Sequence, residues 1–269
     1  MRISILKAAA LGVALCAAPA FADSINTVET TVPSGTTGVT IGNTTGGDPT
    51  LVLTAILSSP QTVDGYTYTN YAMLGNDGTG SIDLFGKLPA SFTGTPAVGD
   101  TLQVSGEYSP FDGIPELENM NNATYGAFNV TGTGATVAAP TVVTIPELNA
   151  ATSTSYNLLE YVVQLNNVYF GVGTPAAWPT HANQNFNITD GINSVNGGGF
   201  FWASSYSIDG ALGGTAIPNT SEVDMTGFLS VFGGEAQFSP ISYTVVPEPA
   251  SVGLLAMGAL GLLRRRRKA

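Results

Sequence analysis

His181 is the only imidazole in the chain, and Lys87 is the only cation between Asp23 and Val246. Any chemistry in that span must therefore come from carboxylates, hydroxyls, amides and aromatic rings. His181 lies in Trp178-Pro179-Thr180-His181, a proline-containing loop with no nucleophile elbow beside it, so nothing points to a triad. The 18 carboxylates of the span would allow a pair for glycoside hydrolysis, but no spacing singles out two of them. Asn76-Asp77-Gly78-Thr79-Gly80 resembles a calcium loop in composition. It lacks the alternating acids and the distal Glu that hold the ion, and it reads as a hairpin turn. The expectation is a protein that is not an enzyme and uses no cofactor and no metal, with a weak secreted hydrolase as a distant alternative.

Charge narrows the partners. One lysine against 18 carboxylates gives residues 23–246 a net charge of −17. A surface with one cation cannot displace counterions from a phosphate backbone, the main source of non-specific nucleic-acid affinity, so we expect no nucleic-acid partner. A neutral glycan fits better, because sugars are held by ring stacking and by Asn, Asp and Glu hydrogen bonds.

The two ends read as targeting segments. Arg2 and Lys7 form a positive start, Ala8 to Ala18 an apolar core, and Ala20-Phe21-Ala22 a small-x-small cleavage site, so residues 1–22 read as a signal peptide. Cys16, the single cysteine, leaves with it. The mature chain then has neither a disulfide nor a thiolate metal site for the oxidising space it enters. At the other end come Pro247-Glu248-Pro249, an apolar run from Ala250 to Leu263, and Arg264, Arg265, Arg266, Arg267 and Lys268. Fourteen helical residues span about 21 Å, short of a hydrocarbon core of about 30 Å. The cations hold the far side in the cytoplasm, and the prolines keep the strip before the membrane extended.

This order resembles the PEP-CTERM sorting signal of Gram-negative bacteria. The resemblance covers residues 246–269. It implies transient membrane anchoring by a hydrophobic transmembrane helix, recognition by an exosortase near Pro247-Glu248-Pro249, removal of the tail, and release to the cell surface or an extracellular polysaccharide matrix. Signal peptidase and exosortase are the partners implied during export. An extracellular polysaccharide is the candidate partner afterwards.

The body between these ends is rich in Thr, Val, Gly, Asn and aromatics, with Asx-Gly pairs between alternating segments. That is the composition of short strands joined by tight turns, and the fold class is all-β. Residues 23–50 read as an irregular lead-in. Strands are expected at Leu51 to Leu57, Tyr66 to Leu74, Ser81 to Phe85, Thr101 to Tyr108 and around Glu116. A second copy follows: Gly106-x-x-Ser109-x-Phe111-x-Gly113-x-x-Glu116-Leu117 recurs 121 residues later as Gly227-x-x-Ser230-x-Phe232-x-Gly234-x-x-Gln237-Phe238. Its other strands are expected at Tyr161 to Phe170, Asn185 to Thr189 and Gly199 to Trp202. The reading is two tandem five-stranded modules, 51–120 and 140–243, joined by a linker at 121–139.

Five strands with a long connection between the third and fourth is the OB-fold arrangement. Val98-Gly99-Asp100-Thr101-Leu102-Gln103-Val104-Ser105-Gly106 and Phe111 to Leu117 resemble the OB-type modules of secreted bacterial proteins, which implies two tandem OB-like barrels between a removable signal helix and a C-terminal hydrophobic helix. An OB-like ligand face would place Tyr66, Tyr68 and Tyr71 on the second strand of the first module, and Phe200 and Trp202 on the third strand of the second. These five are the candidate ligand-face aromatics, and a glycan-binding module is the alternative function.

Overall fold

The structure is a computed structural model describing residues 24–42, 49–63, 66–111, 114–150, 161–171, 176–178, 184–192, 200–203, 215–218, 220–232 and 235–247. The signal peptide, the hydrophobic tail and His181 lie outside them. Among the described residues no helix is long and apolar enough to cross a membrane.

The first half contains α1 (Ile25–Thr31), β1 (Thr36–Ile41), β2 (Leu51–Ser58), β3 (Gln61–Val63), β4 (Tyr66–Tyr68), β5 (Tyr71–Asn76), β6 (Ser81–Gly86), β7 (Thr101–Tyr108), β8 (Glu116–Glu118) and β9 (Ala127–Gly132). The second contains β10 (Thr141–Val143), α2 (Ile145–Ala150), β11 (Val162–Phe170), β12 (Gln184–Thr189), β13 (Phe200–Ala203), β14 (Val223–Phe232) and β15 (Glu235–Val245). The all-β class holds, since both helices are no longer than two turns.

Each half closes its pairing into a ring. In the first, β2 pairs β5, β5 pairs β6, β6 runs parallel to β8, β8 pairs β7, and β7 returns to β2. In the second, β11, β12, β13, β15 and β14 repeat that order, again with a single parallel step, β13 to β15. The sequence repeat marks the hairpin between the last two strands of each ring. Glu107 faces Glu118 and Tyr108 faces Leu117, while Phe228 faces Ser239 and Leu229 faces Phe238, the same register displaced by 121 residues.

The lead-in is not irregular. Ser24 caps α1 by accepting the Thr27 N–H at 3.2 Å, Pro33 lies just beyond the helix end, and Ile25 and Val28 are buried in the first core. Thr144 and Glu147 form a reciprocal capping box at the start of α2, which sends Ile145 and Leu148 into the second core. The two hydrogen bonds that Thr144 donates also hold the Glu147 carboxyl below its ordinary range. Each module thus opens on a short hydroxyl-capped helix with apolar residues at its first and fourth positions.

The first strand of the first module is split. β1 pairs β7 at Val39↔Gly106 and Ile41↔Val104, and β2 resumes at Leu51↔Leu102. In the second module one strand does both jobs, with Val163↔Gly227, Leu165↔Met225 and Val168↔Val223. Where β11 needs only a bulge, with Asn167 at φ 52° and its N–H on Asp224 Oδ1 at 3.0 Å, the first module inserts residues 42–50. The presumed linker likewise holds β9, which pairs Leu102 to Ser105 of β7.

The turn Asn76 to Gly80 anchors α1. Asp77 Oδ1 accepts the N–H of Thr79 at 2.8 Å, the N–H of Gly80 at 3.0 Å and the Thr79 hydroxyl at 2.7 Å, and Oδ2 accepts the Ile25 N–H at 2.8 Å. A carboxylate so occupied serves as a helix dock. We expect Asp77→Ala to cost about 2–3 kcal/mol in chemical denaturation and to open residues 24–35 to proteolysis, with calcium and chelator leaving the wild-type midpoint unchanged. A calcium-dependent midpoint would refute this.

Candidate functional site

Two structural cores and one shared seam organise the surface. Ala55, Leu57, Ala72 and Leu74 lie on the outer face of β2 and β5 and form a buried cluster with Phe228 of β14, joined by Phe85, Val162 and Ile241. In return Ile114, from the β7–β8 hairpin, is buried in the second module's core. The modules thus exchange apolar side chains, and the outer face of β2 and β5 is covered by the second module.

This changes the reading of the aromatic candidates. Tyr66 and Tyr68 are not on the second ring strand; they belong to the separate β3–β4 hairpin, where Tyr66 pairs Val63 and Tyr68 pairs Gln61. Tyr71 begins β5 and packs against the first core, so the three tyrosines do not share one strand. The reason is local: Asp64-Gly65 falls between two three-residue strands, so the alternating run breaks before Tyr71. Phe200 and Trp202 do lie on β13, opposite Asn187 and Asn185. For Tyr66, Tyr68, Phe200 and Trp202 the described geometry ends at the strand backbone.

Pairing with the fifth strand supplies the equivalences. Asp83 and Leu84 pair Glu116 and Leu117, as Phe200 and Phe201 pair Gln237 and Phe238. Phe200 therefore occupies the place of Asp83, and Trp202 that of Phe85. Asp83 was not singled out by its sequence. Ile82 and Leu84 fill the core, which turns Asp83 outward beside Leu74 at the seam. Its Oδ1 is buried without a hydrogen-bond partner. Burial above all pushes its carboxyl up to about 7, with the Glu118 charge adding to the rise and the backbone N–H groups of Met73 and Leu84 opposing it.

Near the other end of the seam, a cleft of about 470 Å³ opens between the modules, lined by Asn76, Asp77, Thr136, Thr141 and Tyr161 among others. Burial raises the Tyr161 hydroxyl, a hydrogen bond with Asn76 lowers it, and Glu29 and Asp77 raise it further. Burial and then Asp77 likewise raise Glu29 above the ordinary carboxylate range. Among the described residues no group of three or more His, Cys, Asp or Glu could hold a metal ion.

The sorting strip begins where the sheet ends. β15 runs to Val245, the Val246 N–H donates to Glu222 O at 2.9 Å, and Pro247 is exposed immediately after it. Glu248, Pro249 and Arg264, Arg265, Arg266 and Arg267 lie outside the described residues.

No curated protein matches the chain. Among solved structures, a chain described under structural mimicry for functional antagonism shares 10% identity at a TM-score of 0.37, over 82% of this chain and 100% of that one. A chain from a replication protein A heterotrimer bound to ssDNA shares 11% identity at a TM-score of 0.25, over 88% of this chain and 71% of that one. Residues 245–268 match the PEP-CTERM protein-sorting motif, so the chain carries the signal of an exported, exosortase-sorted protein.

Proposed function

We propose that the mature protein is a non-enzymatic component of the cell surface or extracellular matrix, made of two OB-like barrels fused along one seam. The observation that carries this reading is the junction at Val246 and Pro247: the last described strand ends at Val245, where the sorting motif begins, and Pro247 is exposed. A processing enzyme can take the strip there and leave every described strand intact. The shared cluster around Phe228 supports a single structural unit, because apolar residues that fill a seam are not offered to a ligand.

The carboxylates support a structural role as well. Asp77 docks α1, Asp100 Oδ2 accepts the Ala97 N–H at 2.8 Å, and Glu107 accepts from Asn119 and Tyr125. Each is tied to its own fold, whereas a glycosidase needs two held free across a cleft. The excess of 18 carboxylates over one lysine argues against a nucleic-acid partner.

The test is the fate of the ends in the native host. We expect intact-mass measurement on the extracellular form to show that residues 1–22 and Arg264 to Lys268 are gone, and deletion of the exosortase to retain the protein in the membrane fraction. An extracellular form still carrying Arg264 to Lys268 would overturn the reading.

A further inference from the structure

Lys87 sits in a place that its rarity makes informative. It follows β6, is exposed, and makes no ion pair among the described residues, although the body carries 18 carboxylates. It lines a cleft of about 280 Å³ with Asn70, Phe85, Glu118, Asn119 and Asn121. Three amides, the body's only lysine ammonium and the Glu118 carboxylate thus converge beside one aromatic ring. This donor-rich group stands in a protein whose surface is otherwise dominated by acceptors.

Part of the cleft is set in advance. Asn119 stands in the left-handed region at φ 56°, a conformation Asn tolerates, and its Nδ2 donates to Glu107 Oε2 at 3.0 Å. Glu107 Oε2 also accepts the Tyr125 hydroxyl at 3.3 Å. The Asn119 side chain is therefore held by one of its two N–H donors, and its carbonyl oxygen and remaining N–H have no partner among the described residues. Phe85, anchored at the seam, supplies an apolar wall.

We propose that this cleft is a subsite for one sugar carboxylate, a uronate residue within an otherwise neutral glycan. The ammonium pairs with the carboxylate, the Asn amides exchange hydrogen bonds with neighbouring hydroxyls, and the C–H face of the sugar lies against Phe85. Lys87 shares the cleft with Glu118, so the subsite tolerates at most one added negative charge, and a polyuronate is disfavoured by the same excess of carboxylates that argues against nucleic acid. At about 280 Å³ the cleft is near the small end for ligand sites, fitting one or two sugar rings. The proposal extends the surface or matrix reading but is separable from it. Processing and location are read in the host, whereas this subsite is read in solution.

The experiment titrates the mature protein, followed by NMR, with a glucuronosyl-glucose disaccharide, with cellobiose, and with an N-acetylated tripeptide bearing a free C-terminal carboxylate. We expect the uronate disaccharide to bind in the millimolar range, about five-fold or more tighter than cellobiose, with shifts centred on Lys87, Asn119 and Asn121. Lys87→Gln, an exposed substitution, should reduce uronate binding to the cellobiose level and leave cellobiose within about two-fold. Asn121→Ala should weaken both sugars. Equal binding of both sugars, no effect of Lys87→Gln, shifts located elsewhere, or tighter binding of the tripeptide would each overturn the proposal. So would no binding at about 20 mM ligand.

Discussion

Gly106→Ala and Gly227→Ala are each expected to lower the denaturant midpoint by the equivalent of about 3 kcal/mol or more. Neither glycine has the positive φ that would require its flexibility; each is required for space. A Cβ on Gly106 would meet the Glu118 carbonyl oxygen and the Leu117 side chain, and a Cβ on Gly227 would meet the Ser239 carbonyl oxygen and the Phe238 ring. The obstructing oxygen belongs to the paired strand, at matching positions in the two rings. A backbone oxygen held in a ladder cannot move aside like the tip of a side chain. Gly132→Ala is the control, because its Cβ would meet only the Thr101 hydroxyl, which can rotate, and a change within about 0.5 kcal/mol is expected. Equal and small effects at all three positions would refute the shared close approach.

The same two glycines explain what the sequence made legible. A spaced motif survives where backbone meets backbone, since no other residue type fits, and this is why Gly106 to Leu117 and Gly227 to Phe238 could be aligned from letters alone. Hairpin turns were legible for a related reason: Asn76-Asp77-Gly78 has the side-chain oxygens and positive φ that a tight turn needs, and Gly78 stands at φ 82°. The split first strand was hidden. Val39 and Ile41 play the parts of Val163 and Leu165, but they precede Leu51 across the inserted residues 42–50, and a search for one continuous alternating run starts only at Leu51. α1 was hidden because Thr27, Thr30 and Thr31 are poor helix formers. Its formation depends on Ile25 and Val28 being buried and on Asp77 receiving its first N–H, a contact 52 residues away in the chain that no local pattern announces.

The candidate site was less legible than the fold. Aromatic residues were the natural markers for a ligand face, but Tyr71 contributes to a core, and Phe85, which was not marked, stands between the seam and the Lys87 cleft. The seam could not be anticipated from either module, because Phe228 and Ile114 each complete an apolar cluster built mainly by the other. Joining the modules in this way fixes their mutual placement and takes the outer face of β5 out of solvent. It also encloses the one carboxylate, among the described residues, with a buried oxygen that has no hydrogen-bond partner.

That carboxylate gives the protein an expected acid preference. Asp83 lies between Leu74 and Glu116, and its carboxyl is raised from 3.8 to about 7 by burial first and then by Glu118. Since the folded state holds this proton more tightly than the unfolded chain, Asp83 favours folding at low pH. The advantage erodes as pH rises from about 4 and is gone above about 7, where the charge must be kept in the seam. At about 1.4 kcal/mol per pH unit the full span would be about 4–5 kcal/mol, and the partial exposure of the residue as a whole reduces the expected figure to about 2 kcal/mol. Asp83→Asn keeps the shape and removes the charge. It should raise the denaturation midpoint at pH 8 and leave it nearly unchanged at pH 4, so that most of the fall in wild-type stability between those values disappears. Glu118→Gln should shift the wild-type transition to lower pH by removing the neighbouring charge. Asp83→Asn destabilising at pH 8 as much as at pH 4 would mean that the carboxylate is a satisfied structural partner, and the seam would then hold no charge for rising pH to expose.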